Sequence, residues 1–122
     1  MCVFNDYIIS QEELKEMQKE IIVVSKNYNN ELRLFQKGNI IDSYNAEKVK
    51  EKYDEMQEAN KKILDKQKDL DNIESYIHGY LNAMNGMAIR YAHNRNGMNQ
   101  QVIFESEPDS YGEPKIKMTI AD

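Results

Sequence analysis

Apolar residues recur at alternating steps of three and four along the first third of the chain. They follow Ser10 to Glu13, a capping box in which the serine oxygen accepts a helix amide and Glu13 reaches back to the cap. The apolar stripe comprises Leu14, Met17, Ile21, Val24, Tyr28 and Phe35. The pattern predicts a helix over 10–37, ended by Gly38. Residues 1–9 fit either a short strand or an apolar arm.

A second periodic stretch predicts a much longer helix, over residues 44–94. Its apolar residues recur every seven positions: Val49, Met56, Ile63, Leu70, Ile77, Met84 and Tyr91. No proline interrupts residues 44–96, but Gly79 and Gly86 do. These glycines mark either fraying or a kink, or a point where another backbone or a ligand approaches closely.

The pattern changes to an alternation of period two near the C-terminus. Ile116, Met118 and Ile120 alternate with polar residues, and a Pro- and Gly-containing segment separates this stretch from residues 101–106. These features predict a β-hairpin over 101–121. The expected fold is mainly α with a small β part, in which a long antiparallel, coiled-coil-like helical hairpin precedes a C-terminal β-hairpin. A chain of 122 residues fits a single domain, 1–122.

The unequal lengths of the two predicted helices favour self-association. A helix over 10–37 is too short to cover one over 44–94, which leaves an apolar stripe exposed to water: Ile73, Ile77, Leu81, Met84 and Met87. Another copy of the chain is expected to cover this stripe, so we predict a homo-oligomer, a dimer or higher.

Charge and cysteine content narrow the classes of partner and compartment. The net charge of −5 disfavours nucleic acid, because binding phosphates needs a basic surface. No apolar run is long enough to span a bilayer, so no membrane partner is expected. The lone cysteine, Cys2, cannot form an internal disulfide, which fits a reducing, cytoplasmic location.

The chain's candidate chemistry is concentrated in the segment from Arg90 to Asn96. Two arginines, a histidine and two asparagines occur within seven residues of an otherwise acidic protein. One interpretation is a helix C-terminus, where cations and asparagine are favoured. The other is a pocket for a small phosphorylated or nucleotide-like ligand, since arginine binds phosphate through a planar fork of donors and tyrosine stacks on rings.

Catalytic and metal sites are not expected. His78 and His93 lack ligands at zinc-site spacing. Ser106 and Ser110 have no histidine near them in sequence to act as a base, and there is no phosphate-binding glycine motif. We therefore expect a protein that is not an enzyme, with no catalytic residues, no metal and no cofactor.

The helical hairpin, the Arg90–Asn96 segment and the small β-hairpin together resemble the phage-encoded Thoeris anti-defence sponges. The resemblance implies an oligomer in the cytoplasm of a bacterial host that sequesters a cyclic ADP-ribose-type signal without cleaving it. The ligand-binding residues would be Arg90, Tyr91, His93, Asn94, Arg95 and Phe104. Arg90 and Arg95 would then meet phosphates, and Tyr91 or Phe104 the adenine.

Two other functional classes remain open at this point. The helices fit a coiled-coil adaptor whose β-hairpin docks a macromolecular partner. Their acidic faces also fit a direct inhibitor that mimics nucleic acid, whose binding would weaken sharply in high salt.

Overall fold

The computed structural model describes residues 2–37 and 43–121. The elements run α1 (Val3–Lys37), α2 (Ser43–Ala83), β1 (Ile89–Arg95), β2 (Met98–Pro108) and β3 (Pro114–Ala121). This order confirms the predicted fold class, two long helices followed by a small antiparallel β part. Gly38, predicted to end the first helix, lies outside the described residues. Neither α1 nor α2 has a stretch apolar enough to cross a bilayer.

Contacts divide the chain into two compact units. The hairpin unit is Ser10–Asp69, and the sheet unit combines Met1–Ile9 with Leu70–Asp122. In the hairpin unit α1 and α2 run antiparallel, because Lys66 Nζ donates to Glu13 Oε2 at one level and the Tyr28 and Tyr53 rings lie 5.7 Å apart at another. The predicted helical hairpin is therefore present.

The first helix begins seven residues earlier than the sequence pattern predicted, at Val3 instead of Ser10. Phe4, Tyr7 and Ile8 continue the helical spacing, and Tyr7 and Ile8 are buried in the sheet unit. The Tyr7 hydroxyl also donates to Glu74 Oε1 at 3.3 Å. Tertiary packing thus extends the helix through the predicted capping box, and Ser10 lies in the helix interior.

The predicted end of the second helix was wrong, because α2 stops at Ala83 and residues 89–95 form strand β1. Asn85 and Gly86 have positive φ angles of 56° and 79°. The Gly86 amide donates to the Leu81 carbonyl at 2.9 Å, and the Asn85 amide to the Asn82 carbonyl at 3.0 Å. This is a Schellman motif, which ends a helix with a left-handed residue. Gly86 is therefore a helix terminator and not a kink.

The β part is a three-stranded antiparallel sheet in the order β1-β2-β3. β2 and β3 correspond to the predicted β-hairpin, and β1 is an additional strand that the sequence analysis assigned to helix. Asn96 and Gly97, with φ angles of 52° and 77°, form the two-residue turn between the paired residues Arg95 and Met98. Asn-Gly favours such a turn because both positions need positive φ.

The core of the sheet unit is formed by residues of both helices and of β2. Its buried apolar side chains are Tyr7, Ile8, Leu70, Ile77, Leu81, Val102 and Phe104. Ile77 and Leu81 are 0% and 1% exposed, so the chain's own sheet unit buries these two residues of the stripe predicted to need a second copy, whereas Met84 and Met87 stay 47% and 65% exposed. The helices also differ by only six residues, 41 against 35. The length argument for self-association was therefore wrong, and self-association itself stays a prediction.

Candidate functional site

The six predicted ligand-binding residues lie on two strands and do not share one surface. Side chains alternate between the faces of a strand, and in β1 His93 is buried and Tyr91 half-buried, whereas Arg90 and Asn94 are exposed. Arg90 and Arg95 are five residues apart, which corresponds to about 17 Å along an extended strand, and they project to opposite faces. One phosphate cannot contact both arginines. The predicted helix C-terminus for this segment was also wrong, because the segment is a strand.

Phe104 belongs to the core and not to a ligand surface. Its side chain is 0% exposed, and its ring lies 5.0 Å from that of Phe4 and 5.8 Å from that of Tyr7. A ligand would have to displace α1 to reach it. The predicted contact between Phe104 and adenine is therefore incompatible with this packing.

Tyr91 lies beside the start of α1. Its ring is 5.8 Å from that of Phe4. Partial burial raises the pKa of the Tyr91 hydroxyl above its ordinary value, and a hydrogen bond with Cys2 together with the nearby charges of Cys2 and Asp6 raises it further. These groups favour the protonated phenol, so Tyr91 acts here as a neutral, hydrogen-bonding residue.

His93 is the buried polar residue of β1. It is 6% exposed, its ring lies 6.2 Å from that of Tyr91, and its Nδ1 atom has no hydrogen-bond partner among the described residues. A buried polar atom without a partner costs about 1–3 kcal/mol. A hydrogen-bonding group that reached His93 would therefore stabilise this part of the sheet. The residue opposite His93 on β2 is Gln100.

A cavity of about 380 Å³ lies at the end of the β1–β2 hairpin, and we call it the sheet-end cavity. It is lined by Arg95, Asn96, Met98, Asn99, Gln100, Gln101 and Ala121. Among the described residues, Gln101 of β2 pairs with Ala121 of β3 at this end of the sheet. The described lining contains one cation, four carboxamides and no carboxylate.

Of the predicted ligand-binding residues, only Arg95 lines this cavity. The sequence analysis missed Asn99, Gln100 and Gln101, and it counted Asn96 in the candidate segment without giving it a binding role. The available signal was Asn96-Gly97, because a tight turn there pairs the two strands and places residues 98–101 opposite residues 95–92.

A second cavity, of about 720 Å³, lies in the hairpin unit, and we call it the acidic groove. It is lined by Glu20, Val24, Glu47, Lys50, Glu51, Asp54, Glu55, Glu58, Ala59 and Lys62. Six of these residues are acidic and two are basic. The acidic faces of the helices were noted from the sequence, but a groove was not predicted.

No group of three or more metal-ligating side chains in residues 2–37 and 43–121 is placed to hold a metal ion. Comparison with protein-family models, curated proteins and solved structures finds no match to this chain. The residues of the two cavities are therefore the basis for any functional proposal.

Proposed function

We propose that this chain is a non-catalytic binding protein that sequesters a small phosphorylated, nucleotide-like ligand in the sheet-end cavity. The observation that supports this is the composition of the lining: an arginine and four carboxamides, with no carboxylate among the described lining residues. In a chain of net charge −5, such a lining favours an anion where most of the surface repels one.

The lining supplies the groups that a nucleotide needs. The Arg95 guanidinium can donate two parallel hydrogen bonds to a phosphate. The carboxamides both donate and accept, as the edges of a base and the hydroxyls of a ribose require. Met98 is 73% exposed and offers a polarizable, apolar surface to a ring. A volume of about 380 Å³ falls within the range of small-molecule sites, roughly 300–1,000 Å³.

The proposal changes the roles of the residues named from the sequence. Arg95 is the proposed phosphate ligand, and Gln100 of the lining lies opposite His93 in the strand pairing. Arg90 and Asn94 are not among the residues that line the cavity, and Phe104 lies in the core. They are not part of the proposed site.

The cavity's lining also supports binding without turnover. The residues that line it include no serine, threonine, cysteine, histidine or carboxylate side chain, so no nucleophile with a neighbouring base is present in the described lining. A cyclic ADP-ribose-type molecule is the ligand that we propose, and the cytoplasm of a phage-infected bacterium is the proposed setting. Both follow the resemblance to the anti-defence sponges.

Self-association is part of the proposal and rests on a surface that keeps Met84 and Met87 of the predicted stripe. Large apolar side chains are exposed at steps of four, four and three along the end of α2 and in the turn that follows it: Tyr76, Tyr80, Met84 and Met87. Contiguous exposed apolar residues of this kind favour contact with another protein surface. We propose that a second copy covers them in a homo-oligomer.

A thermal-shift screen against cyclic ADP-ribose, ADP-ribose and AMP tests the ligand proposal. A ligand that binds only the folded protein raises the melting temperature in a concentration-dependent manner. Arg95→Ala should abolish the rise, whereas Arg90→Ala, the same change on the other face of β1, should keep it. No rise with any of the three nucleotides, or an equal loss in both variants, would contradict the proposal.

A further inference from the structure

We propose that the acidic groove of the hairpin unit binds a basic amphipathic helix of a partner protein. The proposal concerns a different unit of the chain from the sheet-end cavity and does not depend on nucleotide binding. It places a protein partner on the helices, whereas the adaptor hypothesis placed one on the β-hairpin.

The shape of the groove fits a helix. Its α2 residues are Glu47, Lys50, Glu51, Asp54, Glu55, Glu58, Ala59 and Lys62. Consecutive members of this set are alternately three residues and one residue apart, so the pattern repeats every four residues and forms one face of α2. From Glu47 to Lys62 this face is about 22 Å long, which is about four helical turns. The lining residues Glu20 and Val24 of α1 are one turn apart and form the other wall. A groove along two antiparallel helices is a typical docking site for a third.

The floor of the groove is apolar and allows close approach. Ala59 is 5% exposed, and its small side chain leaves room for the backbone of another helix. Val24 is half-buried beside it in the lining. An incoming helix would therefore place small or medium apolar residues along the floor and keep its charged residues at the rim.

The charge of the groove determines the charge of its occupant. Two lysines against six carboxylates give a formal charge of 2 − 6 = −4, compared with −5 for the whole chain. Glu55 is paired with Lys52 Nζ at 3.6 Å. The carboxylates of the groove repel one another, and Lys and Arg on a partner would replace that repulsion with attraction. The partner helix should thus carry basic residues on both sides of an apolar stripe.

Other occupants fit the groove less well. A second copy related by a two-fold axis would bring one acidic groove against another. Nucleic acid would bring phosphates against carboxylates. The described residues place no three metal-ligating side chains around a point that a cation could occupy. A long basic helix matches both the extended shape and the distributed charge.

Fluorescence anisotropy with a labelled peptide tests the proposal on the full chain. The probe is an amphipathic peptide of about 15 residues, long enough to fill the groove, with leucine and alanine on one face and lysine on both sides of that face. We expect saturable binding that weakens in high salt, together with a gain of peptide helix in circular dichroism. A peptide of the same pattern with glutamate in place of lysine should not bind.

Paired variants distinguish the effect of the groove's carboxylates on peptide affinity from the effect of the protein's net charge. Glu51→Gln with Glu58→Gln removes two carboxylates from the groove, and we expect about a fivefold loss of peptide affinity. The control pair, Asp69→Asn with Asp71→Asn, makes the same charge change on exposed residues of α2 beyond the groove and should change affinity less than about twofold. Absence of saturable binding, or an equal loss in both pairs, would overturn the proposal. Loss of nucleotide binding in Arg95→Ala leaves this result unchanged.

Discussion

The rings of Phe4 and Phe104 lie 5.0 Å apart, centroid to centroid, with an interplanar angle of 45°. Phe4 is in the first turn of α1 and Phe104 is in the middle strand of the sheet, so this contact joins the start of the chain to its C-terminal part. Phe4 also contacts Tyr80 and Tyr91, at 5.6 Å and 5.8 Å. Phe4 thus contacts an aromatic ring from each of α2, β1 and β2 within the sheet unit.

Removing the buried ring should strongly destabilise the protein. We expect Phe104→Ala to lower the free energy of unfolding by about 3–5 kcal/mol, because it deletes a fully buried aromatic side chain. Urea denaturation followed by circular dichroism measures the change. The control is Tyr111→Ala, since Tyr111 is 90% exposed, and its effect should stay within about 0.5 kcal/mol. Equal effects of the two variants would contradict the assignment of Phe104 to the core.

Two glycine substitutions should change stability in opposite directions. Gly79 lies inside α2, with nothing within 4 Å of the position that a Cβ atom would take, so Gly79→Ala should raise the free energy of unfolding by about 1 kcal/mol. Gly97 has a φ of +77°, so Gly97→Ala should lower it by about 1–2 kcal/mol. Thermal denaturation of both variants provides the comparison. A stabilising Gly97→Ala would argue against the Asn96-Gly97 turn.

Stability should fall in alkaline solution partly because of Tyr91. Its folded-state pKa is raised above the ordinary value for tyrosine, about 10. The protonated Tyr91 hydroxyl therefore contributes to the free energy of unfolding. This contribution is fully present below that pH and is lost as the pH rises through the folded-state pKa. The phenylalanine at this position in Tyr91→Phe cannot ionise, so that variant should lose less stability than the native chain between pH 8 and pH 11. Urea midpoints at the two pH values measure this, and parallel losses would exclude the proposed role.

The exposed surface at the end of α2 predicts the oligomeric state. Tyr76 and Met87 are 66% and 65% exposed, and a charge at either position should oppose burial against a second copy. Sedimentation velocity should give a mass of at least two chains for the native protein and of one chain for Tyr76→Glu with Met87→Glu. Tyr111→Glu, in the loop between β2 and β3, should remain oligomeric. A native protein that sediments as one chain would remove self-association from the account.

Periodicity was a good guide to the type of most elements and a poor guide to their ends. The three-and-four spacing from Leu14 to Phe35 predicted α1, and the alternation at Ile116, Met118 and Ile120 predicted β3. The step of seven from Met84 to Tyr91 is compatible with a helix, and nothing in the spacing alone distinguishes it from a strand that begins after a break. The local signal that decides is Asn85-Gly86, which can adopt the left-handed conformation that ends a helix.

The assignment to the second helix of residues 89–94, which form most of strand β1, also determined how much of the candidate site could be predicted. On a helix, Arg90 and Arg95 would be about 7.5 Å apart along the axis, whereas on a strand they are about 17 Å apart and project to opposite faces. Arg95 was named as a candidate on residue chemistry alone, and its binding role stays a prediction. Gln100 and Gln101 could not be found without the turn at Asn96-Gly97, because only the pairing of β1 with β2 brings them into the same cavity lining as Arg95.

The most direct test of the binding proposal is a titration of the isotope-labelled chain with cyclic ADP-ribose, followed by amide chemical shifts. The account predicts saturable shifts concentrated in residues 95–101 and Ala121, including the side-chain amides of Asn96, Asn99, Gln100 and Gln101. It also predicts their loss in Arg95→Ala and their persistence in Arg90→Ala. Unchanged spectra at millimolar ligand, or shifts confined to residues outside the sheet-end cavity, would contradict it.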